Sequence, residues 1–330
     1  MWFDVFAVRM IVELLLFGAL LVGVYFLLHM TVLKLPRCTA ATKLHGKTVI
    51  VTGANTGIGK TTAIDLARRG ARVILACRDK GRGEAAVQEI IQETGNKQVI
   101  FMQLDLASLK SVRSFVDNFL KSEPRLDILI NNAGQVWQTV EKHEDGFGMM
   151  FGVNHLGHFL LTVLLLDQLK ESGPSRVVTV ASKAHEMGKV DFNCLMTHRD
   201  LVPGNSDYEI FQGYCHSKLC NVLFTYELAK RLEGTEVTCY SLHPGFIKTE
   251  LGRHATSWWN VLLNTVSLFS VDAESGAQTT LHCALEQGIE HLSGHYFTCC
   301  APVLKINPKA RDDAVAKKLW ELSESFCGLS

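Results

Sequence analysis

Short apolar runs alternate with longer segments of mixed polarity along most of this chain, and the alternation predicts its fold. Runs rich in aliphatic and β-branched residues are typical of buried strands and occupy residues 48–52, 72–76, 99–104, 126–130, 176–180 and 237–242. The segments between them have helical spacing. Strands that alternate with amphipathic helices predict a Rossmann-type, doubly wound parallel sheet in one α/β domain, residues 47–330. We expect residues 294–298 to add a last edge strand and residues 312–326 a terminal helix.

The N-terminus follows a different pattern. Residues 14–33 are twenty residues interrupted only by His29 and Thr31, and a helix of this length spans about 30 Å of hydrocarbon. Glu13 marks the edge of the span, because a central carboxylate costs about 2.5–3.5 kcal/mol on insertion scales. A cleaved signal peptide is the alternative, but no small-residue cleavage site follows. We expect a short tail at 1–13, a transmembrane anchor at 14–33 and a linker at 34–46.

Charged residues near the anchor predict its orientation. Lys34, Arg37, Lys43 and Lys47 follow the span, whereas Arg9 alone precedes it. Because basic residues stay on the cytosolic side, the catalytic domain is expected in the cytosol, with the endoplasmic reticulum as the membrane. The ten cysteines are scattered, as in reduced intracellular proteins.

Composition narrows the classes of function. The chain has 330 residues, 47% of them hydrophobic, and a formal net charge of zero. Nucleic-acid binding requires a basic tract or patch, and the sequence contains none, so we expect no nucleic-acid partner. No His or Cys cluster has zinc-ligand spacing, and we expect no metal.

A glycine-rich turn follows the first predicted strand. Gly53, Gly57 and Gly59 stand between that strand and a helical pattern that runs on from Lys60. Glycines at this spacing let backbone amides approach a pyrophosphate at the positive end of a helix. A tight turn without a ligand is one alternative. A relaxed Walker A loop of an NTPase is another, with Lys60 on the terminal phosphates and Thr61 on magnesium.

Tyr214 and Lys218 form the most informative pair of polar residues. Residues four apart share a helical face, and a nearby cation favours the phenolate of a tyrosine, whose ordinary pKa is about 10. Tyr226 and Lys230 repeat the spacing. Twelve positions separate the two tyrosines, a rotation of about 120° on a helix, so the pairs cannot share one site. At least one of the two pairs therefore lies on the outer surface, and the spacing alone does not say which.

Further motifs stand in a fixed order around these residues, and together they resemble the short-chain dehydrogenase/reductase family over about residues 47–327. They are Asp105-Leu106, Asn131-Asn132-Ala133-Gly134, Val153-Asn154-His155, Ser182 and His243-Pro244-Gly245. Residues 153–162 and 214–224 are similar to the retinol dehydrogenase and retinal reductase branch. The NTPase alternative leaves all of these motifs unexplained.

The resemblance also separates the two Tyr and Lys pairs. The helix of this family must leave room to run on before strand 237–242, which Tyr214 does and Tyr226 does not, so we expect Tyr226 and Lys230 to form an outer-face pair.

The resemblance implies an oxidoreductase that interconverts a carbonyl and an alcohol by hydride transfer. Tyr214 is then the acid/base, Lys218 lowers its pKa and binds the nicotinamide ribose, Ser182 hydrogen-bonds the substrate oxygen, and Asn154 holds a water that links Lys218 to solvent. The implied cofactor-binding residues are Gly53, Asn55, Thr56, Gly57, Ile58, Gly59, Lys60, Arg78, Asp105, Leu106, Asn132, Ala133, Gly134, Tyr214, Lys218, Pro244, Gly245 and Thr249.

The end of the second strand predicts which nicotinamide cofactor is used. NAD enzymes place an acid there for the ribose hydroxyls, whereas this chain has Cys77 and Arg78. A guanidinium can bind a 2′-phosphate bidentately, Lys60 adds charge nearby, and Asp79 weakens the argument only slightly. We therefore expect NADP(H).

The substrate is predicted from an apolar lid at about 250–272, which contains Trp258 and Trp259. A lid of this character near a membrane suits a lipophilic carbonyl such as retinal or a long-chain aldehyde. An extra loop at 202–207 makes the substrate preference less certain, and His185 and His216 are expected to be packing or lid residues. Two questions stay open: whether the chain is instead a catalytically weak lipid- or cofactor-binding module on the same fold, and whether it forms a homo-oligomer.

Overall fold

A computed structural model describes residues 36–136, 143–245 and 272–329, with four single positions nearer the N-terminus. Residues Arg37–Ser330 form one compact unit, separate from Met1–Pro36. Thr249, nearly all of the expected anchor at 14–33 and nearly all of the expected lid at 250–272 lie outside the described residues. Within the described part, no helix has both the length and the apolar character that crossing a membrane requires.

The centre of the domain is a single sheet. Its strands are β1 (Thr48–Thr52), β2 (Arg72–Cys77), β3 (Val99–Gln103), β4 (Ile128–Asn131), β5 (Ser175–Val180), β6 (Val237–His243), β7 (Tyr296–Thr298) and β8 (Ala301–Pro302). They lie in the order β3-β2-β1-β4-β5-β6-β7-β8. Every neighbouring pair is parallel except β7 and β8. The strand order reverses between β1 and β4, and that reversal opens a crevice at the carboxyl ends of the strands.

Helices cover both faces of this sheet. They are α1 (Gly57–Arg68), α2 (Lys80–Thr94), α3 (Leu109–Ser122), α4 (Gly157–Leu164), α5 (Leu166–Glu171), α6 (Phe192–His198), α7 (Asp207–Arg231), α8 (Ala273–Leu285) and α9 (Asp313–Phe326). A π-helical turn, Gly152–Leu156, leads directly into α4.

The alternation of side chains along β1 explains the two layers. Ile50 belongs to a hydrophobic cluster with α3, α4, α7 and α9, whereas Val49 and Val51 belong to a second cluster with α1, α2 and α8. All three side chains are fully buried. Successive residues of a strand point to opposite faces, so a continuous apolar run is what a sheet covered on both sides requires. The predicted doubly wound α/β fold is confirmed.

The far edge of the sheet differs from the prediction. Residues 294–298 do contain a strand, β7, but it pairs on its outer side with β8 and is not the edge. The two residues that join β7 to β8 are Cys299 and Cys300, with φ of 50° and 55°. Two-residue hairpins need positive φ at both central positions and usually use Asn-Gly. Cysteines give no such signal, which is why the sequence did not reveal β8.

Candidate active site

The glycine turn at the end of β1 is shaped by close contacts. Gly53 has φ of +65°, and a Cβ there would lie 3.0 Å from the Cα of Ala133. A Cβ at Gly59 would collide with the Gly53 carbonyl oxygen. The helix that follows, α1, has no side-chain cap at Thr56 and no acidic residue in its first turn. Its amide groups and positive dipole end therefore remain suited to an anion.

A cavity of about 410 Å³ lies beside this turn. Most of the predicted cofactor positions line it, from the glycine turn through Asp105, Asn132 and Gly134 to Tyr214, Lys218 and Pro244. Lys60 and Gly245 are not in the lining, and Thr249 lies outside the described residues. An uncapped helix N-terminus and glycines without room for a Cβ fit the diphosphate of a dinucleotide.

Two arginines line the end of the cavity next to β2. Arg78 was predicted from the sequence, and Arg82 was not; both are exposed. Asp79 lies between them, but its carboxylate caps α2 by accepting a hydrogen bond from the Arg82 backbone amide at 2.9 Å. Arg82 lies in the first turn of α2, whereas Arg78 precedes the residue that caps this helix, so helical spacing in the sequence does not link the two arginines.

Lys60 lies elsewhere. Its ammonium contacts the carboxylate of Glu89 on α2. Thr61 donates its hydroxyl hydrogen to the Gly57 carbonyl at 3.1 Å. In this arrangement, neither side chain is directed to the cavity in the manner that the Walker A interpretation requires.

Two of the residues expected to perform the chemistry, Tyr214 and Lys218, line the other end of the cavity, whereas Ser182 and Asn154 are not among its lining residues. Ser182 follows β5, and its hydroxyl forms a hydrogen bond with the phenol of Tyr214 on α7. Ser182 also caps the 3₁₀ turn Lys183–Met187, accepting from the Ala184 amide at 3.2 Å. One turn along α7, Lys218 is buried and donates to the Val180 carbonyl at 3.0 Å.

The protonation of this group differs from the sequence-based expectation. Burial raises the pKa of Tyr214 above its ordinary value of 10.0, and the hydrogen bond from Ser182 opposes that shift only in part. Burial also lowers the pKa of Lys218 to about 8. A weakened cation bound to a backbone carbonyl does not offset the desolvation of the phenol. The expected lowering of the Tyr214 pKa is therefore not seen.

Asn154 lies in the π-helical turn and is fully buried. Its amide donates to the Gln135 carbonyl and to the Ser217 hydroxyl, both at 3.0 Å, and its side-chain oxygen accepts from the Gln135 amide at 2.9 Å. Ser217 in turn donates to the Tyr214 carbonyl at 2.8 Å. The side chain thus ties the turn that ends at Gln135 to the helix that carries Tyr214.

The second Tyr and Lys pair is on the outer face, as predicted. The Tyr226 hydroxyl donates to a carboxylate oxygen of Asp313 on α9 at 2.8 Å, and Lys230 donates to the same oxygen at 2.6 Å. These contacts connect two helices and do not reach the cavity.

The two histidines named from the sequence are packed inside the domain. His185 is fully buried, its Nδ1 lies 2.7 Å from the Ser182 carbonyl oxygen, and its ring packs against Tyr296 with centroids 4.6 Å apart. His216 accepts a hydrogen bond from the Lys189 amide at 3.3 Å. Both positions agree with a packing role.

Comparison with known proteins places this geometry in a family. The chain matches the short chain dehydrogenase family over residues 47–194. It is 52% identical to dehydrogenase/reductase SDR family member 13 of Bos taurus, covering 96% of this chain and 83% of the relative. It is 48% identical to human retinol dehydrogenase 11, covering 96% of this chain and 98% of that protein.

A solved structure agrees. The crystal structure of a protein from Mycobacterium paratuberculosis has 34% sequence identity and a TM-score of 0.67, covering 87% of this chain and 95% of that one. The resemblance drawn from the motifs is confirmed, and the NTPase interpretation is replaced. The chain belongs to the short-chain dehydrogenase/reductase family and is an oxidoreductase.

Proposed function

We propose that this protein is a membrane-anchored, NADP(H)-dependent oxidoreductase that interconverts a lipophilic carbonyl compound, such as retinal or a long-chain aldehyde, and its alcohol. The observation that carries the proposal is that Tyr214 and Lys218 line one end of the cavity, with Ser182 as a hydrogen-bond neighbour of Tyr214. The relative named retinol dehydrogenase 11, at 48% identity over nearly the whole chain, supports the retinoid class.

The reaction follows from these side chains. The bound nicotinamide cofactor supplies or accepts a hydride. Tyr214 donates its phenolic proton to the carbonyl oxygen during reduction and takes the alcohol proton during oxidation, while Ser182 hydrogen-bonds the same oxygen. Because burial raises the pKa of Tyr214, the phenol is protonated at neutral pH, which is the form that reduction requires.

NADP(H) is favoured over NAD(H) by charge. Arg78 and Arg82 line the cavity at the end of β2, and the carboxylate of Asp79 is directed to the backbone of α2. Two guanidinium groups can bind a 2′-phosphate, which a carboxylate would repel. Lys60 is paired with Glu89 and is not part of this argument.

Anchoring by residues 14–33, an endoplasmic reticulum membrane and a cytosolic catalytic domain belong to the same proposal. They are supported by the apolar stretch and by the basic residues that follow it. A lipophilic substrate would then reach the site from the bilayer, and the cofactor from the cytosol.

The proposal is tested with membranes that carry the full chain. NADPH-dependent reduction of retinal, a long-chain aldehyde and a short aldehyde is measured beside the Tyr214→Phe variant, with Tyr226→Phe as the matched control. We expect turnover of the lipophilic carbonyls, retained in the control variant and lost in Tyr214→Phe. NADPH binding without turnover above the Tyr214→Phe background would support the alternative, a cofactor- or lipid-binding module.

A further inference from the structure

His158, on α4, lies behind the active site and is absent from the cavity lining. Its side chain is 1% exposed. Neither the motifs nor the expected mechanism gives this residue a role. Its two ring nitrogens nevertheless contact two different parts of the site. The role that we infer for this imidazole rests on the function proposed above.

One ring nitrogen faces the catalytic side. Nδ1 lies 3.2 Å from the carbonyl oxygen of Asn154, in the π-helical turn. A carbonyl oxygen only accepts hydrogen bonds, so Nδ1 must carry the hydrogen. Burial lowers the pKa of His158 to about 4, and the ring is neutral at physiological pH. Nε2 is therefore a hydrogen-bond acceptor.

The other nitrogen faces the cofactor side. Nε2 lies 2.9 Å from the hydroxyl oxygen of Thr52, at the end of β1. That oxygen already accepts hydrogen bonds from the backbone amides of Asn132 and Ala133, both at 2.9 Å. Both lone pairs of the hydroxyl are thus used, and its single hydrogen is left for Nε2 or for the Ile130 carbonyl at 3.4 Å. The shorter contact, to His158, is the stronger one.

We propose that His158 is a positioning residue, a neutral imidazole in its Nδ1–H tautomer that fixes the cofactor-binding turn at residues 131–134 against the π-helical turn that carries Asn154. The connection continues on both sides. Towards the cofactor it passes through Thr52 to the amides of Asn132 and Ala133. Towards the chemistry it passes through Asn154 and Ser217 to the backbone of Tyr214.

Two substitutions separate the two halves of this connection. His158→Asn keeps a donor near the position of Nδ1 and removes the acceptor at Nε2. His158→Gln keeps an acceptor near the position of Nε2 and removes the donor at Nδ1. Loss of one buried hydrogen bond corresponds to about a 3- to 10-fold change in a rate or binding constant.

We expect one variant to change kcat and the other to change the NADPH dissociation constant. His158→Gln should lower kcat by about 3- to 10-fold with little change in the NADPH dissociation constant, because the catalytic arm is lost. His158→Asn should raise the NADPH dissociation constant by a similar factor and change kcat little. Thr52→Val should raise the NADPH dissociation constant more than His158→Asn, because it also removes the acceptor of the Asn132 and Ala133 amides. Adding His158→Asn to Thr52→Val should change that constant no further, because the hydrogen bond between the two side chains is already lost.

The matched control is His155→Asn. His155 lies in the same helical segment, is 1% exposed, and contacts the Ser323 hydroxyl on α9 at 2.9 Å, away from the cavity. It should lose stability without separating kcat from cofactor binding. Equal changes of both constants in the two His158 variants, or the same split in His155→Asn, would overturn the proposal.

A second measurement does not depend on the folding of any variant or on turnover. Nitrogen NMR of the histidine-labelled full chain in detergent should show His158 as a neutral ring protonated at Nδ1, assigned with NADPH present and absent. A ring protonated at Nε2, or an imidazolium at pH 7, would refute the inference. If the wild type bound NADPH without any turnover, the proposed function would fail, while the tautomer and the binding constants would still decide the role of His158.

Discussion

The ammonium of Lys218 lies 5.7 Å from the centre of the Tyr214 ring. Lys218 is bound to the Val180 carbonyl, and burial weakens its hold on the proton, with a pKa of about 8. The two groups therefore start from protonation states that burial has shifted in opposite directions. Burial of the Lys218 ammonium costs free energy and therefore lowers the stability of the folded protein.

Lys218→Met should stabilise the protein at pH 7. The folded-state pKa of about 8 lies below the ordinary value of 10.5, so in the window between them the unfolded chain holds a proton that the folded chain has released. Stability from this group therefore rises with pH across that window, and the full cost is present below it. The gain in unfolding free energy should be largest at pH 7 and shrink towards pH 10. Denaturant titrations of both proteins at several pH values check this, with Lys80→Met as an exposed control. A gain that grew with pH would contradict the prediction.

Tyr214→Phe should lower kcat by about 10²–10⁴, because it removes the proton donor and leaves the ring in place. Tyr226→Phe removes a hydroxyl that bonds Asp313 on α9, and its kcat should stay near that of the wild type. The same kinetic assay with retinal and NADPH measures both variants. A comparable loss of kcat in both variants would mean that Tyr214 is not the proton donor.

Arg78→Ala should raise the NADPH dissociation constant by about one to two decades and leave that of NADH almost unchanged, because a charge-assisted contact with the 2′-phosphate contributes about 1.5–3 kcal/mol. Arg82→Ala should act in the same direction. Lys80→Ala is the control, since Lys80 is exposed, pairs with Glu84 and is not in the cavity lining. Fluorescence titration with both cofactors distinguishes the cases, and equal effects on NADPH and NADH would remove the argument for the 2′-phosphate.

Gly134→Ala should reduce turnover while the protein stays folded. A Cβ at this position would lie 3.3 Å from the Lys218 ammonium nitrogen and 3.6 Å from the side-chain oxygen of Asn154. The contact with Asn154 is an ordinary van der Waals contact, whereas the contact with Lys218 is tighter, so the ammonium must shift by a few tenths of an ångström. We expect about a tenfold loss in kcat from that shift. Gly81→Ala, where the methyl meets only Asp79 at 3.6 Å, provides the comparison. Unchanged kinetics in Gly134→Ala would mean that the Lys218 position tolerates this shift.

Sealed microsomes test the orientation proposed for the anchor. Added protease should degrade the catalytic domain, and alkaline carbonate should leave an uncleaved chain in the pellet, since basic residues follow residues 14–33. Deletion of the first 33 residues should release the chain from the pellet. Protection of the domain, or a soluble form shortened by about thirty residues, would instead identify a cleaved signal peptide.

The sequence revealed features that depend on local pattern. The six central strands were recognisable because a strand covered on both faces is apolar throughout, as Val49 to Val51 illustrate. Helical geometry showed that Tyr214 and Tyr226 cannot share one site, and the helix length implied by the family resemblance selected Tyr214.

Features that depend on distant partners stayed hidden. Lys60 reaches Glu89 on the next helix, which no local pattern encodes. The protonation of Tyr214 depends on how completely α7 is buried, and the hydrogen bond between His158 and Thr52 joins residues 106 positions apart in the chain. Pairwise contacts and desolvation of this kind exist only after the sheet has assembled.

The reversal of strand order between β1 and β4 separates the residues of the site into two groups along the chain. The strands on one side, β1 to β3, bring the glycine turn, Arg78 and Asp105, whereas β5 and the segments after it bring Ser182, Tyr214 and Pro244. We expect recombination between these two halves to change the preference between NADPH and NADH and to leave Tyr214 in place. The architecture is thus modular in an evolutionary sense: the choice of reductant and the choice of carbonyl can change separately. The pairing of β1 with β4 and the hydrophobic cluster shared by both halves keep the two parts in register.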